Sequence, residues 1–452
     1  MPTWGLTDHR TGFSEPYLMS HGNPYGKDSF PPHEIERRMM LTLTYGAAPS
    51  IAVAQPPRLQ QEVYRCLDEV QRRKPWLTHK RPEPWAALLV SDNTRTFYGR
   101  EPGRVEERYL AHLLGTFRTC VEAHLPVALI NDWNLTPDGL APYATLLLPN
   151  AACLDSAQVR AIDQFVRQGG GLVASLDASR FDEFGEARDA FALADLLGVD
   201  YRGPAPDEPQ TARDQPLDEN FARSIGPDFW EKRRHIFDFR LQPDTFLDRG
   251  TLAAYVGHDP VTFKGPAVHV LPRPGTQTLA TLQGRTPGAP VLPAILSRTH
   301  GQGRVVYSAA SLDAAYYLYS YPYQRCALEQ AIRWTARRPP PIEVAAPRCV
   351  HVTIMHQERD DQRRLIVHLF NDINTTGGHA LPVDDVPLRE EVLPIHGIRV
   401  TFAPEYRLGR VTLEPEGIAL QGEATAAGYT VVVPRLDIHS LVVAEWPRSP
   451  AP

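Results

Sequence analysis

From about residue 85 to 337, short apolar runs alternate with longer segments whose apolar positions recur every three or four residues. Tyr143-Ala-Thr-Leu-Leu-Leu-Pro-Asn150 shows the pattern most clearly. Thr145 to Leu148 is a continuous run, as a strand buried on both faces requires. Asp155 or Ser156 can cap the following helix, and Val159, Ile162, Phe165 and Val166 share one face of it. Gly169-Gly-Gly171 stops that helix and opens a second apolar strand, Gly171-Leu-Val-Ala-Ser-Leu-Asp177. The same pattern predicts strands at Ala86 to Val90 and Val127 to Ile130, and helices over Val105 to His124 and Ala187 to Leu197. Residues 201–250 lack periodicity and read as an insertion or surface loop. The pattern resumes at Leu252 to Tyr255, Thr278 to Leu282, Ala294 to Ser297 and Gly303 to Ser308, and a helix from Tyr323 to Arg337 closes it. Alternating strands and helices imply an α/β domain, doubly wound, with a mainly parallel sheet.

The flanks differ. Residues 1–84 predict two helices, Pro32 to Tyr45 and Gln60 to Arg73, around a short strand, Ser50 to Ala54. Ile35, Met39, Met40 and Leu43 form the apolar side of the first, and Gly46 ends it. Pro339-Pro-Pro341 reads as a stiff linker. Beyond it the period shortens to two: Val350 to Met355, Arg364 to Phe370, Ile398 to Phe402, Gly417 to Gly422 and Tyr429 to Val433 predict an all-β sandwich. The expected division is therefore 1–84, 85–338 and 342–448.

Composition removes some alternatives. The 452-residue chain is 42% hydrophobic with a net charge of -6, which argues against a nucleic-acid or anionic-membrane partner. It has no run of apolar residues long enough to span a membrane, and residues 1–10 lack the features of a signal peptide, so a cytoplasmic location is expected. Cys66, Cys120, Cys153, Cys326 and Cys349 are scattered and odd in number, suggesting neither disulfides nor a zinc site. The sixteen His show no metal spacing, and His368 is expected to pack or hydrogen-bond between strands. Gly169-Gly-Gly171 follows a helix and precedes a strand, the reverse of a phosphate cradle. No metal and no cofactor are expected. Ala315-Tyr-Tyr-Leu-Tyr-Ser-Tyr-Pro-Tyr323 offers either sugar-stacking faces or an aromatic core or subunit contact.

Four stretches together resemble the C-terminal part of family-42 β-galactosidases: Tyr143 to Asn150, Gln164-Phe-Val-Arg-Gln-Gly-Gly-Gly171, Gly301-Gln-Gly-Arg-Val-Val-Tyr307 and Arg364-Leu-Ile-Val-His-Leu-Phe-Asn371. In that family a catalytic barrel is followed by a class I glutamine-amidotransferase-like trimerisation domain and a small β domain. Glu36-Arg-Arg-Met-Met-Leu-Thr-Leu-Thr-Tyr-Gly-Ala47 is similar to the end of the barrel. The resemblance makes residues 1–84 a remnant of the last barrel units. It implies Glu15 as the nucleophile at the end of the seventh barrel strand, with Tyr17, His21, Asn23 and Tyr25 at the sugar. A whole barrel takes about 250 residues, and the strands that would carry the general acid do not precede Glu15 here.

An active amidotransferase-like domain would need a Cys at a strand-to-helix elbow and a later His-Glu pair. The turn after Leu172 to Leu176 reads Asp177-Ala-Ser-Arg180, Cys153 reads as a small buried hydrophobe, and Ser175 and Ser179 lack a nucleophile-elbow context. Glu34 and Glu36 read as the first turn of a helix. The leading expectation is part of a β-galactosidase-like glycoside hydrolase without a complete active site, acting on carbohydrate and forming a homo-oligomer, a trimer by the family's precedent. The alternative is a non-catalytic oligomerisation or carbohydrate-binding protein.

Overall fold

The computed structural model describes residues 13–14, 30–50, 57–101, 104–206, 234–359, 362–375, 389–406 and 408–447. The chain forms two compact units. One takes residues 1–85, 120–129 and 340–452, and the other takes 86–119 and 130–339.

The second unit is built on a nine-stranded sheet. Its parallel part runs Gly303–Ser308, Gly171–Ser175, Thr145–Leu148, Ala86–Val90, with Val127–Asn131 at the edge. The helix Ser156–Arg167 between two of these strands starts in a reciprocal cap: Asp155 Oδ1 accepts from Gln158 N at 2.7 Å, and Gln158 Oε1 accepts from Asp155 N at 2.8 Å. It buries Ala161, Ile162, Phe165 and Val166 against the sheet.

The other part of the sheet corrects the expectation of a mainly parallel arrangement. Val291–His300, Gln277–Gly284, Ile236–Leu241 and Val261–Lys264 are all antiparallel to their neighbours. The cause is connection length: Val291–His300 and Gly303–Ser308 are joined by two residues, and a parallel return needs a dozen or more. The sheet is therefore mixed. Residues 201–250, expected as a loop, supply the strands Val199–Pro204 and Ile236–Leu241, while Leu252 to Tyr255 lies in the helix Gly250–Val256. The helix expected from Ala187 shrinks to Ala194–Leu197, ended by Gly198.

The triple glycine is a packing device. A Cβ on Gly170 would meet the Phe165 ring at 2.4 Å, and one on Gly171 would meet Thr335 O at 2.4 Å. Only glycine at these two positions lets Ser156–Arg167 and Pro322–Thr335 sit this close to the sheet.

In the first unit a four-stranded and a six-stranded antiparallel sheet share one core containing Val344, Val352, Leu365, Val367, Val400, Phe402, Val431 and Val442. The six-stranded sheet includes Lys80–Pro82, paired with Val350–Arg359. Its other face is covered by Pro32–Thr44 and Pro57–Leu77. Met40 and Leu43 pack on Phe370 and Ile438, and Trp76 packs on Met355, Ile366, Leu441 and Val443. No described helix is long and apolar enough to cross a membrane.

Candidate functional site

Three places in the molecule gather chemistry. The first is the end of a strand pair. Phe13–Ser14 runs parallel to Ala48–Pro49, and Pro32–Thr44 lies between them in sequence. This is a β-α-β connectivity, and Glu15 directly follows the first strand in sequence. Glu15, Tyr17, His21, Asn23 and Tyr25 all lie outside the described residues. Pro32–Thr44 is anchored from its interior: buried Glu34 pairs with Arg38 at 3.1 Å and Arg389 at 3.2 Å, and Arg37 Nη1 donates to Asn371 O at 2.6 Å. Glu34 is thus an ion-pair partner as well as a first-turn acid.

The second place is the carboxyl end of the parallel strands, where ligands of open α/β sheets bind. Ser175 ends one strand and Asn150 follows its neighbour. Asp313 comes from the helix Leu312–Tyr319, and His112 from the helix Ala111–Glu122. Gly115, one turn after His112, lets the two helices touch, since a Cβ there would meet Asp313 O at 1.9 Å. Ser175 Oγ donates to Asp313 Oδ2 at 2.7 Å, and His112 Nδ1 lies 2.8 Å from Asp313 Oδ1. Asn150 N donates to Ser175 Oγ at 2.9 Å.

Serine, aspartate and histidine are all present, but in the wrong order for acyl transfer. A triad needs the serine on the imidazole and the imidazole on the carboxylate. Here both donate to one carboxylate, and all three side chains are buried. Sequence reading missed the set because its members are far apart in the chain; the only local signal was the Ser175 strand end.

Around it the backbone is held in unusual conformations. Asn150, Leu176 and Ser179 have φ of 43°, 44° and 69°, a region costly for residues with a Cβ. Asp177 N donates to Asn150 Oδ1 at 2.9 Å, and Tyr98 Oη donates to the Asp177 carboxylate at 2.8 Å. Burial raises the Asp177 carboxyl above the usual range. The turn that follows the strand Gly171–Ser175 thus opens on Leu176, which has no nucleophilic atom. Cys153 is buried, and burial pushes its thiol up to about 11, so it holds little thiolate at neutral pH.

The third place is a cavity of about 650 Å³ in the first unit, lined by Glu36, Glu62, Arg65, Glu69, Arg73 and His439 among others. Of its lining acids, Glu36 and Glu62 pair with Arg65 at 2.8 and 2.5 Å, Glu69 with Arg73 at 2.7 Å and Asp437 with Arg435 at 2.9 Å.

Among the described residues no cluster of His, Cys, Asp and Glu fits a metal ion. The tyrosine run divides: Tyr316 and Tyr323 are buried, whereas Tyr317, Leu318, Tyr319 and Tyr321 are exposed. His368 is fully buried on a central strand and lies 3.2 Å from His439.

The architecture is that of solved glycoside hydrolases. The sequence itself matches no protein-family model and no curated protein. The structure is similar to α-L-fucosidase isoenzyme 2 from Paenibacillus thiaminolyticus, with a TM-score of 0.70 at 16% identity over 97% of this chain and 61% of that one. It is also similar to the β-galactosidase from Rahnella sp. R3, with a TM-score of 0.62 at 14% identity over 96% of this chain and 54% of that one. Gan42B, a GH42 β-galactosidase, gives 0.61 at 14% identity over 96% and 53%. The chain therefore spans about half to three fifths of the length of these structures, and the likeness is one of fold.

Proposed function

We propose that this chain carries the closing barrel elements, the amidotransferase-like unit and the β domain of a β-galactosidase-like glycoside hydrolase. The observation that carries the reading is the parallel strand pair Phe13–Ser14 and Ala48–Pro49, with Glu15 next in the chain. Catalytic carboxylates of barrel enzymes stand at such strand ends. In this reading Glu15 attacks the anomeric carbon of a terminal glycoside, Tyr17, His21, Asn23 and Tyr25 line the sugar, and a second carboxyl about 5 Å away acts as acid and then base. That second group comes from barrel strands outside this sequence, and no cofactor takes part. The exposed Tyr317, Leu318, Tyr319 and Tyr321 support a subunit contact in a homo-oligomer, such as a trimer.

The 452-residue chain alone is expected to show no turnover of aryl β-galactosides or aryl α-L-fucosides. Joined to a complete barrel it is expected to be active, and Glu15→Gln should then lower kcat by several orders of magnitude while retaining the fold. Turnover by the isolated chain that survives Glu15→Gln would remove Glu15 from the mechanism.

A second reading is a non-catalytic assembly or carbohydrate-binding protein. It is favoured by the buried Ser175–Asp313–His112 set, whose serine hydroxyl is turned to the carboxylate and is not exposed for attack. Sugar binding without turnover by the endogenous protein, at a native mass matching this chain, would favour it over the first.

A further inference from the structure

Beneath the helix Pro57–Leu77, the six-stranded sheet buries four nitrogen-bearing side chains: Arg73, Lys80, His368 and His439. Arg73 Nε donates to His439 Nδ1 at 3.1 Å and Arg73 Nη2 donates to His439 O at 3.0 Å. His439 Nε2 lies 3.2 Å from His368 Nδ1. A guanidinium can only donate, so His439 Nδ1 must accept. The His439 proton therefore sits on Nε2 and is donated to His368 Nδ1. The His368 proton then sits on Nε2, a buried atom with no hydrogen-bond partner. Both rings must be neutral, because an imidazolium has no lone pair with which to accept.

We propose that Arg73, His439 and His368 form an acid-released latch that holds Pro57–Leu77 on the sheet of its own unit. Protonating His439 removes the acceptor of Arg73. Protonating His368 removes the acceptor of His439. Either event sets two donors against each other and adds a positive charge beside Arg73 and Lys80.

Most of the carboxylates around that charge are already paired. On the helix, Glu69 is already paired with Arg73 at 2.7 Å and Arg72 at 2.8 Å. On the neighbouring strands, Glu445 is paired with Arg364 at 2.6 Å, and the cavity that His439 and Arg73 line also holds Glu416 and Asp437, the latter paired with Arg435 at 2.9 Å. Val350–Arg359 contributes the neutral Gln357, bonded to Pro75 O at 3.0 Å and to Thr78 O. Lys80–Pro82 contributes only another base, and Pro32–Thr44 faces the sheet with Met40 and Leu43.

The titration agrees with this proton inventory. Burial, with the charges of Lys80 and Arg73 adding to it, holds both imidazoles well below their ordinary range. An unfolded or detached segment regains ordinary histidines, with a pKa of about 6.5. The latch is therefore fully closed above that pH and weakens progressively as the pH falls below it.

The test is hydrogen exchange of the whole chain, corrected for intrinsic rates, at about pH 7 and pH 5. Amides of Pro57–Leu77 should open at least about twentyfold more at the lower pH, while those of Thr145–Leu148 and Gly171–Ser175 should not. Glutamine accepts through Oε1 and donates through Nε2, so a His368→Gln/His439→Gln variant keeps the relay without titrating. It should lose the acid response while retaining protection at neutral pH. A merely space-filling role for these rings would make protection fall equally at both pH values. An unchanged wild-type helix at pH 5, or an equal acid response in the variant, overturns the proposal. If the variant fails to fold, nitrogen-15 spectra of histidine-labelled wild type decide. Both rings must be neutral with the proton on Nε2 at pH 7, and a charged ring or the other tautomer at either position overturns the latch.

Discussion

Lys80 shows what a single buried residue does to the pH dependence of the whole. Burial alone pushes its amine down to about 7, and no carboxylate offsets the shift. The unfolded chain takes up this proton below its ordinary value of about 10.4, whereas the folded chain waits until about 7. Stability from this site is thus fully present above the unfolded value and declines as the pH drops towards 7. Lys80→Met should raise stability at pH 7 by about 2–4 kcal/mol and flatten the slope between neutral and pH 10, as read from urea midpoints at both values. A variant no more stable than wild type at pH 7 would contradict this account. Asp313 makes the opposite case. Asp313→Leu strands Ser175 and His112 in the interior and should cost about 2–4 kcal/mol. A serine-directed probe should label neither protein. Neither residue was legible in advance: Lys80 lies between the helix expected over Gln60 to Arg73 and the strand expected from Ala86, and Asp313 became significant only when the fold brought it to Ser175 from 138 positions away.

At the scale of elements, legibility followed local chemistry. The Asp155–Gln158 cap, the strand Thr145–Leu148 and the strand Gly303–Ser308 lie where sequence pattern puts them, because capping and burial on both faces are local requirements. Asp155→Ala should therefore cost about 1 kcal/mol, measurable by thermal unfolding of the variant. Elements whose identity depends on partners were misread. Leu252 to Tyr255 is apolar enough for a strand but is a helix, with Leu252 and Val256 buried. Ile236–Leu241 pairs within the sheet although it carries two charges, since Asp238 is ion-paired with Arg285 and Arg240 is exposed. Gly115 is the sharpest case of long-range control. Gly115→Ala has no local penalty in a helix, yet its Cβ would fall on Asp313 O, so destabilisation of about 3 kcal/mol or more is expected. A stability change within a few tenths of a kcal/mol of wild type would show that the helices can separate at no cost.

For the whole molecule, the resemblance written in four short motifs led to the right kind of fold, and the solved glycoside hydrolases cover 96–97% of the chain. The proposed site was less legible, since its residues and its second carboxyl are not held by the described elements. The order of the two units along the chain has a further consequence. Residues near the start close against residues near the end: Lys80 sits opposite Gln357, and Arg37 donates to Asn371 O. A ribosome delivers the partners of Pro32–Thr44 and Pro57–Leu77 only after residues 86–339 have emerged. Until then the faces that Pro32–Thr44 and Pro57–Leu77 turn to the six-stranded sheet lack that sheet. Residues 86–119 and 130–339 need no later segment, whereas the other unit needs residues 340–447 before its sheets can close. Of this unit, the segment from Pro32 to Leu77 is therefore the one that waits longest for its partners.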